Sequence, residues 1–112
     1  MKLIVAIVQD EDAGRLVSAL MDKGFGVTKL ATTGGFLRAG NTTLISGVED
    51  DKLQDALGVI EKLCKSRRQT VSSGLTALEP GSMASGSLPG SIEIMVGGAT
   101  VFVLEVSQFL KV

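Results

Sequence analysis

The run KLIVAIVQ at residues 2–9 constrains the fold more than any other stretch of the chain. It is rich in β-branched residues, and its apolar side chains do not alternate with polar ones. This pattern is typical of a central strand that is buried on both faces of a sheet. The apolar part is far too short to span a bilayer, and no signal-peptide pattern precedes it. We therefore expect a sheet with this strand at its centre, in a cytoplasmic protein that does not insert into membranes.

Helical and extended patterns alternate after this strand. A helix is expected first, with Asp10 or Asp12 as its N-cap and Gly24 as its C-terminal stop. Extended segments then occupy residues 25–33 and 41–48, joined by a glycine-rich loop. The first half of the chain therefore predicts a strand, a helix and two further strands.

A second helix and a long polar segment follow. The helix has Asp50 as its expected N-cap and an apolar stripe that ends at Cys64. Six serines, four glycines and both prolines then make up twelve of the twenty residues 72–91. Such a composition cannot bury enough apolar surface to offset its ordering entropy, so a mobile loop is expected. The runs IEIMV and TVFVLEV, separated by Gly97 and Gly98, indicate a hairpin.

The predicted elements follow the order β-α-β-β-α-β, with an additional strand before the last one. This is an α+β, ferredoxin-like arrangement, in which two helices cover one face of an antiparallel sheet. The first and last strands are apolar on both sides, so the second face would be a large exposed apolar patch, which soluble monomers rarely tolerate. We expect a homo-oligomer that packs these faces inward. The alternative is that the long loop folds back over the face.

The loop before the third strand resembles a phosphate-binding loop at first sight. Residues 35–42 match the pattern G-x-x-x-x-G-K-[ST], except that Asn41 replaces the lysine. A true phosphate loop leads directly into a helix whose amides face the phosphates, and its lysine reaches the terminal phosphate. Here the following sequence is strand-like, and both predicted helices begin with acids, which would repel a phosphate. NTP hydrolysis is therefore not expected.

The same loop has features of a different nucleotide site. Its glycines let backbone amides approach a ligand closely. Phe36 can stack on a base, and Asn41 offers both donors and acceptors to the edge of a purine. Residue types alone leave a plainer alternative open, in which Phe36 packs against its own subunit.

Composition excludes several classes of function. The 112-residue chain has a net charge of −1, so it has no overall attraction for nucleic acid. It has no histidine and a single cysteine, Cys64. This excludes an intrachain disulfide, the usual zinc clusters and any nucleophile–histidine pair. No pair of carboxylates is recognisable as an acid–base pair, so we expect no catalytic residues, no metal and no cofactor.

Over nearly its whole length the chain resembles the PII-like cyclic di-AMP receptors of the DarA or PstA type. The matching stretches are KLIVAIVQD, TKLATTGGFLRAGNTT with the following Gly47-Val48, and VGGATVFVLEV. The resemblance implies a single PII-like domain over residues 1–112 that forms a homotrimer and binds one cyclic dinucleotide in each cleft between subunits. Residues of about 33–41 would correspond to a short T-loop, and residues of about 66–91 to a longer B-loop.

The resemblance also implies which residues contact the ligand. The family uses an aromatic and an aliphatic residue beside an adenine, a further aromatic wall, two polar side chains and two glycines that allow close backbone approach. In that order these residues are Phe36 and Leu37, Phe102, Thr28 and Asn41, and Gly35 and Gly47. Further candidates are Arg38, Gly98, Gln108 and Lys111.

The sequence departs from the family at three positions. Gly24 and Gly26 stand where family members often carry a polar and a basic residue. Lys111 stands where a glutamine contacts the ligand, unless Gln108 takes that place in a shifted register. Lys111 can compensate for the missing cation, because the ligand carries two negative phosphates. The departures concern ligand affinity and ligand identity, and they leave the fold unaffected.

The function implied is that of a non-enzymatic signalling protein. Cyclic di-AMP would order the loops and change the surface offered to an unidentified protein partner. One alternative is a PII-type sensor of ATP and ADP that regulates a transporter or an enzyme, which requires cations that the loop offers only as Arg38. Another is an acylphosphatase-type enzyme, whose catalytic loop is missing after the first strand. A purely structural oligomer is a third.

Overall fold

The computed structural model of the protein describes residues 1–30, 40–72 and 91–112. They belong to two compact units, one formed by residues 1–65 and 97–112 and the other lying within residues 66–96. The first unit contains, in chain order, β1 (Lys2–Gln9), α1 (Asp10–Asp22), β2 (Thr28–Leu30), β3 (Asn41–Val48), α2 (Leu53–Cys64) and β6 (Ala99–Glu105), and the second contains β4 (Arg67–Ser72) and β5 (Ser91–Val96).

The sheet of the first unit has the strand order β2-β3-β1-β6, and neighbouring strands are antiparallel. β1 is an inner strand, as the sequence predicts. One face of the sheet packs against both helices, and the core between them is apolar. Its members include Ile4, Ala6 and Val8 from β1, Leu16 and Leu20 from α1, and Ala56 and Ile60 from α2. The fold is α+β with antiparallel sheets and two helices, compatible with a ferredoxin-like arrangement.

Gly24 stops helix α1 just after its last residue, Asp22, as the sequence predicts. Gly24 has a φ of 89°, a conformation that glycine adopts without steric cost. Its amide donates to the carbonyl oxygen of Met21 at 2.9 Å, and the Phe25 amide donates to that of Leu20 at 3.0 Å. These two bonds form a Schellman motif. Because the chain is still closing the helix there, β2 begins at Thr28 and not at the predicted residue 25.

The predicted N-caps of both helices are wrong. Gln9 occupies the N-cap position of α1, and its side chain makes no capping hydrogen bond within the described part of the chain. Asp10 is the first helical residue, and Asp12 is buried inside the helix. Asp50 begins a short 3₁₀ turn before α2, and its carboxylate pairs with the α-ammonium group of Met1 at 3.0 Å. Each acid suits the positive end of a helix dipole, but its side chain is not the cap.

The predicted hairpin between the last two strands is also wrong. β5 pairs with β4 in a two-stranded sheet, whereas β6 pairs with β1. Gly97 and Gly98 have positive φ values of 81° and 94°, as a two-residue hairpin turn requires. Their amides donate instead to the side chain of Gln9 and to the carbonyl oxygen of Cys64. β4 is a strand that the sequence pattern did not predict, and residues 73–90 of the expected mobile loop lie outside the described residues.

The second face of the first sheet is apolar along β1 and β6, and we call it the open face because both helices of the first unit pack against the other side. Leu3, Val5 and Ile7 of β1 point to this face and are partly buried. Phe102 and Leu104 of β6 point to it and are 54% and 47% exposed. The prediction that β1 and β6 are apolar on both sides is therefore confirmed.

Candidate functional site

A row of paired residues crosses the open face and carries two of the predicted ligand contacts. Thr28 of β2 pairs with Ile45 of β3. Ile45 pairs with Val5 of β1, which pairs with Phe102 of β6. Residues that are directly opposite each other in neighbouring strands point to the same side of a sheet. Thr28 and Phe102 therefore lie on one face, at its two edges.

Asn41 and Gly47 lie on the same face. Asn41 is four positions before Ile45 in β3 and Gly47 is two positions after it, and alternate strand residues share a face. Asn41 pairs with Gln9 at one end of β1, and Gly47 pairs with Leu3 near the other end. All four predicted contacts that the structure describes are therefore on the open apolar face, away from the helices.

The shared face does not bring these four residues together in one chain. Thr28 and Phe102 are in opposite edge strands, three interstrand spacings apart, or about 14 Å. Asn41 and Gly47 are separated by about 20 Å along β3. Gly47 is closer to Thr28 than Asn41 is, because Gly47 is only two positions from Ile45, the partner of Thr28. Within the described part of one chain, the two edges do not form a common pocket.

Gly47 leaves open space on this face. Its backbone belongs to an ordinary strand and is not among the glycines with positive φ. Among the described residues, a Cβ at this position would meet only the sulfur of Met1 at 3.9 Å, which is an ordinary van der Waals contact. The backbone conformation does not require glycine there, so the missing side chain marks a place where another group can approach the strand closely.

The remaining candidates lie in different parts of the chain. Gly98 directly precedes β6, at the end of the sheet where Asn41 begins β3. Gln108 and Lys111 are exposed in the segment that follows β6 in the chain. The candidates outside the described residues are Gly35, Phe36, Leu37 and Arg38.

Sequence reasoning missed a cluster of hydrogen bonds where β1 becomes α1. The Gly97 amide donates to Oε1 of Gln9 at 2.7 Å. The amide of Asp10 donates to the carbonyl oxygen of Gly40 at 2.8 Å, and its carboxylate accepts a hydrogen bond from the hydroxyl group of Thr42. One signal was available, because a glutamine stands at an N-cap position where Ser, Thr, Asp or Asn is preferred.

Several charged groups meet at the other end of β1. Lys2 pairs with Glu105 of β6, and its ammonium nitrogen is 4.0 Å from Asp50. The hydrogen bond from the α-ammonium group of Met1, together with the positive charges of that group and of Lys2, lowers the pKa of the Asp50 carboxyl, against a smaller effect of desolvation. These contacts join the first residues of β1 to the end of β6 and to the turn before α2.

Residues 1–30, 40–72 and 91–112 contain neither a cluster that could hold a metal ion nor a helix that could span a membrane. No three Asp, Glu or Cys side chains among them are grouped so that they could hold a metal ion. No helix in the same ranges is both long and apolar enough to cross a membrane.

Comparisons with known proteins place the chain in one family. The sequence model of the cyclic-di-AMP receptor family matches residues 1–112. Among solved structures, the chain is similar to the crystal structure of a functionally unknown protein from Pediococcus pentosaceus, with 39% sequence identity and a TM-score of 0.75. The match covers 99% of this chain and 96% of that one. The chain therefore belongs to the cyclic-di-AMP receptor family, as its sequence resemblance indicated.

Proposed function

We propose that the protein binds cyclic di-AMP in clefts between the subunits of a homotrimer and signals to a protein partner without catalysing a reaction. The observation that carries the proposal is the position of the described contacts on one open face, at opposite edges of the sheet. Thr28 and Gly47 lie towards the β2 edge, and Phe102 lies in β6 at the other edge. The described residues of one chain do not close that separation, whereas two copies with these edges adjacent can enclose a ligand.

The apolar character of the open face supports an assembly of this kind. Phe102 and Leu104 expose about half of their surface, and they lie beside the apolar odd-numbered residues of β1. Soluble monomers rarely leave a large contiguous patch of this type exposed. A cyclic oligomer buries the same face of each copy, and the family resemblance implies three copies.

The side-chain chemistry of the candidate contacts suits a cyclic purine dinucleotide. Phe102 offers an apolar wall for a base. The hydroxyl group of Thr28 and the amide of Asn41 can donate to and accept from the polar edges of adenine, ribose or phosphate. The ligand carries two phosphate charges, for which Arg38 and Lys111 are the candidate cations. Gly47 would allow the ligand to approach the backbone of β3.

The loop residues complete the proposed site. Gly35, Phe36 and Leu37 would come from the T-loop counterpart at about 33–41, directly before Asn41 in the sequence. Binding would change the order of this loop and of the B-loop counterpart at about 66–91. The altered surface would then be recognised by a cytoplasmic protein target, because a ligand shifts a conformational equilibrium by as much as its affinity differs between the two states.

Calorimetric titration tests the proposal. Cyclic di-AMP, cyclic di-GMP and ATP would be titrated into the protein at a concentration where light scattering gives the mass of three subunits. We expect one cyclic di-AMP to bind per subunit, with weaker binding or no binding of the other two nucleotides. Absence of binding by cyclic di-AMP to an intact trimer would overturn the proposal, and a preference for ATP would favour a PII-type sensor of adenine nucleotides. A monomer in dilute buffer would eliminate the intersubunit cleft.

A further inference from the structure

The junction between β1 and α1 uses its side chains in an unusual way for a helix start. Gln9 has the extended backbone of an N-cap residue, with a φ of −72° and a ψ of 146°. A Ser, Thr, Asp or Asn at this position would satisfy a free amide of the first helical turn. The side chain of Gln9 turns instead to Gly97, 88 residues later in the sequence, whose amide donates to its Oε1 at 2.7 Å.

This hydrogen bond holds the segment that leads into β6. Gly97 and Gly98 both have positive φ, so two consecutive residues have conformations that are not those of a strand. The Gly98 amide donates to the carbonyl oxygen of Cys64 at the end of α2. The start of β6 is therefore fixed by one side-chain contact and one backbone contact, before strand pairing begins at Ala99.

The neighbouring residue holds the start of β3 in a similar way. Asp10 donates its amide hydrogen to the carbonyl oxygen of Gly40, and its carboxylate accepts a hydrogen bond from Thr42. Asn41, which lies between Gly40 and Thr42, is the register partner of Gln9. Two consecutive residues of the β1–α1 junction thus hold the first residues of two strands that carry candidate ligand contacts.

We infer that Gln9 is a positioning residue of the ligand site, which fixes the start of β6 relative to Asn41 by accepting the hydrogen bond from Gly97. This inference rests on the proposed function. Phe102 lies five residues beyond Gly97, so a shift at the start of β6 would change the position of its side chain on the open face. Gln9 acts on binding through Gly97 and β6, and it has no assigned contact with the ligand.

Three variants separate this role from a general effect on stability. Gln9→Met keeps the length of the side chain and removes the hydrogen-bond acceptor, whereas Gln9→Glu retains an acceptor. Gln54→Met makes the same change on the exposed surface of α2 and serves as the matched control. The readouts are hydrogen exchange of the Gly97 amide by NMR, the Kd of cyclic di-AMP by calorimetry, and the mass of the assembly by light scattering.

We expect the Gly97 amide to be protected in the ligand-free wild type and to exchange about tenfold faster in Gln9→Met, the effect of losing one hydrogen bond. The Kd of cyclic di-AMP should rise by a similar factor while the trimer remains intact. Gln9→Glu should restore the protection of Gly97, and Gln54→Met should match the wild type in both measurements.

Two results would overturn the inference. One is an unprotected Gly97 amide in the wild type, which decides the question even if Gln9→Met does not fold. The other is faster exchange in Gln9→Met with the same Kd as in the Gln54→Met control. Failure of the proposed function gives a different result, because wild-type protein would then not bind cyclic di-AMP at all while its Gly97 amide could still be protected. That outcome would remove the role of Gln9 in binding together with the proposed function.

Discussion

Gly47→Ala is the substitution that best distinguishes the fold from the proposed site. Gly47 lies on the open face of β3, and a Cβ added there would meet only the sulfur of Met1, at 3.9 Å, among the described residues. Glycine within a strand costs about 0.5–1 kcal/mol relative to alanine because of its larger conformational freedom when unfolded. We therefore expect the free energy of unfolding to be unchanged or higher by up to about 1 kcal/mol.

The same substitution should weaken the binding of cyclic di-AMP. If cyclic di-AMP packs against the backbone of Gly47, the added methyl group overfills the contact. Overpacking of this kind costs about 1–3 kcal/mol, which corresponds to a Kd that is raised about 5- to 150-fold. Titration calorimetry would give the Kd, urea unfolding the stability, and light scattering the mass of the assembly.

The matched control is Gly14→Ala. Gly14 is exposed within α1, and a Cβ there would have no neighbour within 4 Å among the described residues. This control should raise helix stability by about 1 kcal/mol and leave the Kd unchanged. If Gly47→Ala binds cyclic di-AMP as tightly as the wild type does, the ligand does not approach β3 at this point and the reasoning is refuted. Loss of the trimer in Gly47→Ala would also refute it, because Gly47 would then lie in a subunit contact and not in a ligand cleft.

Three further substitutions test other parts of the account. Phe102→Ala should raise the Kd of cyclic di-AMP, measured by calorimetry, about 5- to 150-fold if the ring of Phe102 stacks on a base. The control is Met21→Ala, which should leave this Kd unchanged, because Met21 is 59% exposed on α1. Leu16→Ala removes a side chain with 0% exposure and should lower the free energy of urea unfolding by about 2–5 kcal/mol. The hydrogen bond from the α-ammonium group of Met1 lowers the pKa of Asp50 below its ordinary value of 3.8, so its contribution to stability is present above that pH and lost as the pH falls through the lower folded-state value. Urea unfolding of Asp50→Asn should therefore show a weaker loss of stability below about pH 4 than the wild type shows.

Local sequence signals were sufficient for the two inner strands. β1 and β3 have the predicted bounds, 2–9 and 41–48. The first is a continuous apolar run, and the second begins directly after Gly40, which has a φ of 96°. The end of α1 was also predictable, because Gly24 provides the positive φ that a Schellman motif needs. In each case the decisive residues lie within the element or beside it.

The predictions that were wrong depend on partners far away in the sequence. Asp10 has the residue type of a helix cap, but its carboxylate accepts a hydrogen bond from Thr42 of β3. Gly97 and Gly98 have the conformations of a hairpin turn, yet they connect strands of two different sheets. Turn chemistry is local, whereas the choice of a strand's partner depends on the whole sheet. A single segment of sequence does not contain that information.

The candidate site shows the same division. The side of the sheet on which Thr28, Asn41, Gly47 and Phe102 lie follows from strand alternation once the register is known. The identity of these residues as contacts came from the family resemblance and not from spacing. Gln9 was missed because its partner, Gly97, is 88 residues away, and because Asp10 and Asp12 beside it have the residue type that is preferred at an N-cap.

The sheet separates the residues that determine stability from those that would determine binding. The helix-facing side holds the buried core around Leu16, whereas the open side carries the candidate contacts. If Thr28 of one copy and Phe102 of a neighbouring copy contact the same ligand, as we propose, two copies of the chain hold that ligand. Such a ligand binds the assembly and not the separated chain, and it stabilises the assembly by about 2.7 kcal/mol at a free concentration of one hundred times Kd. Assembly and binding are then coupled through the open face, while core substitutions act on folding from the opposite side of the same sheet.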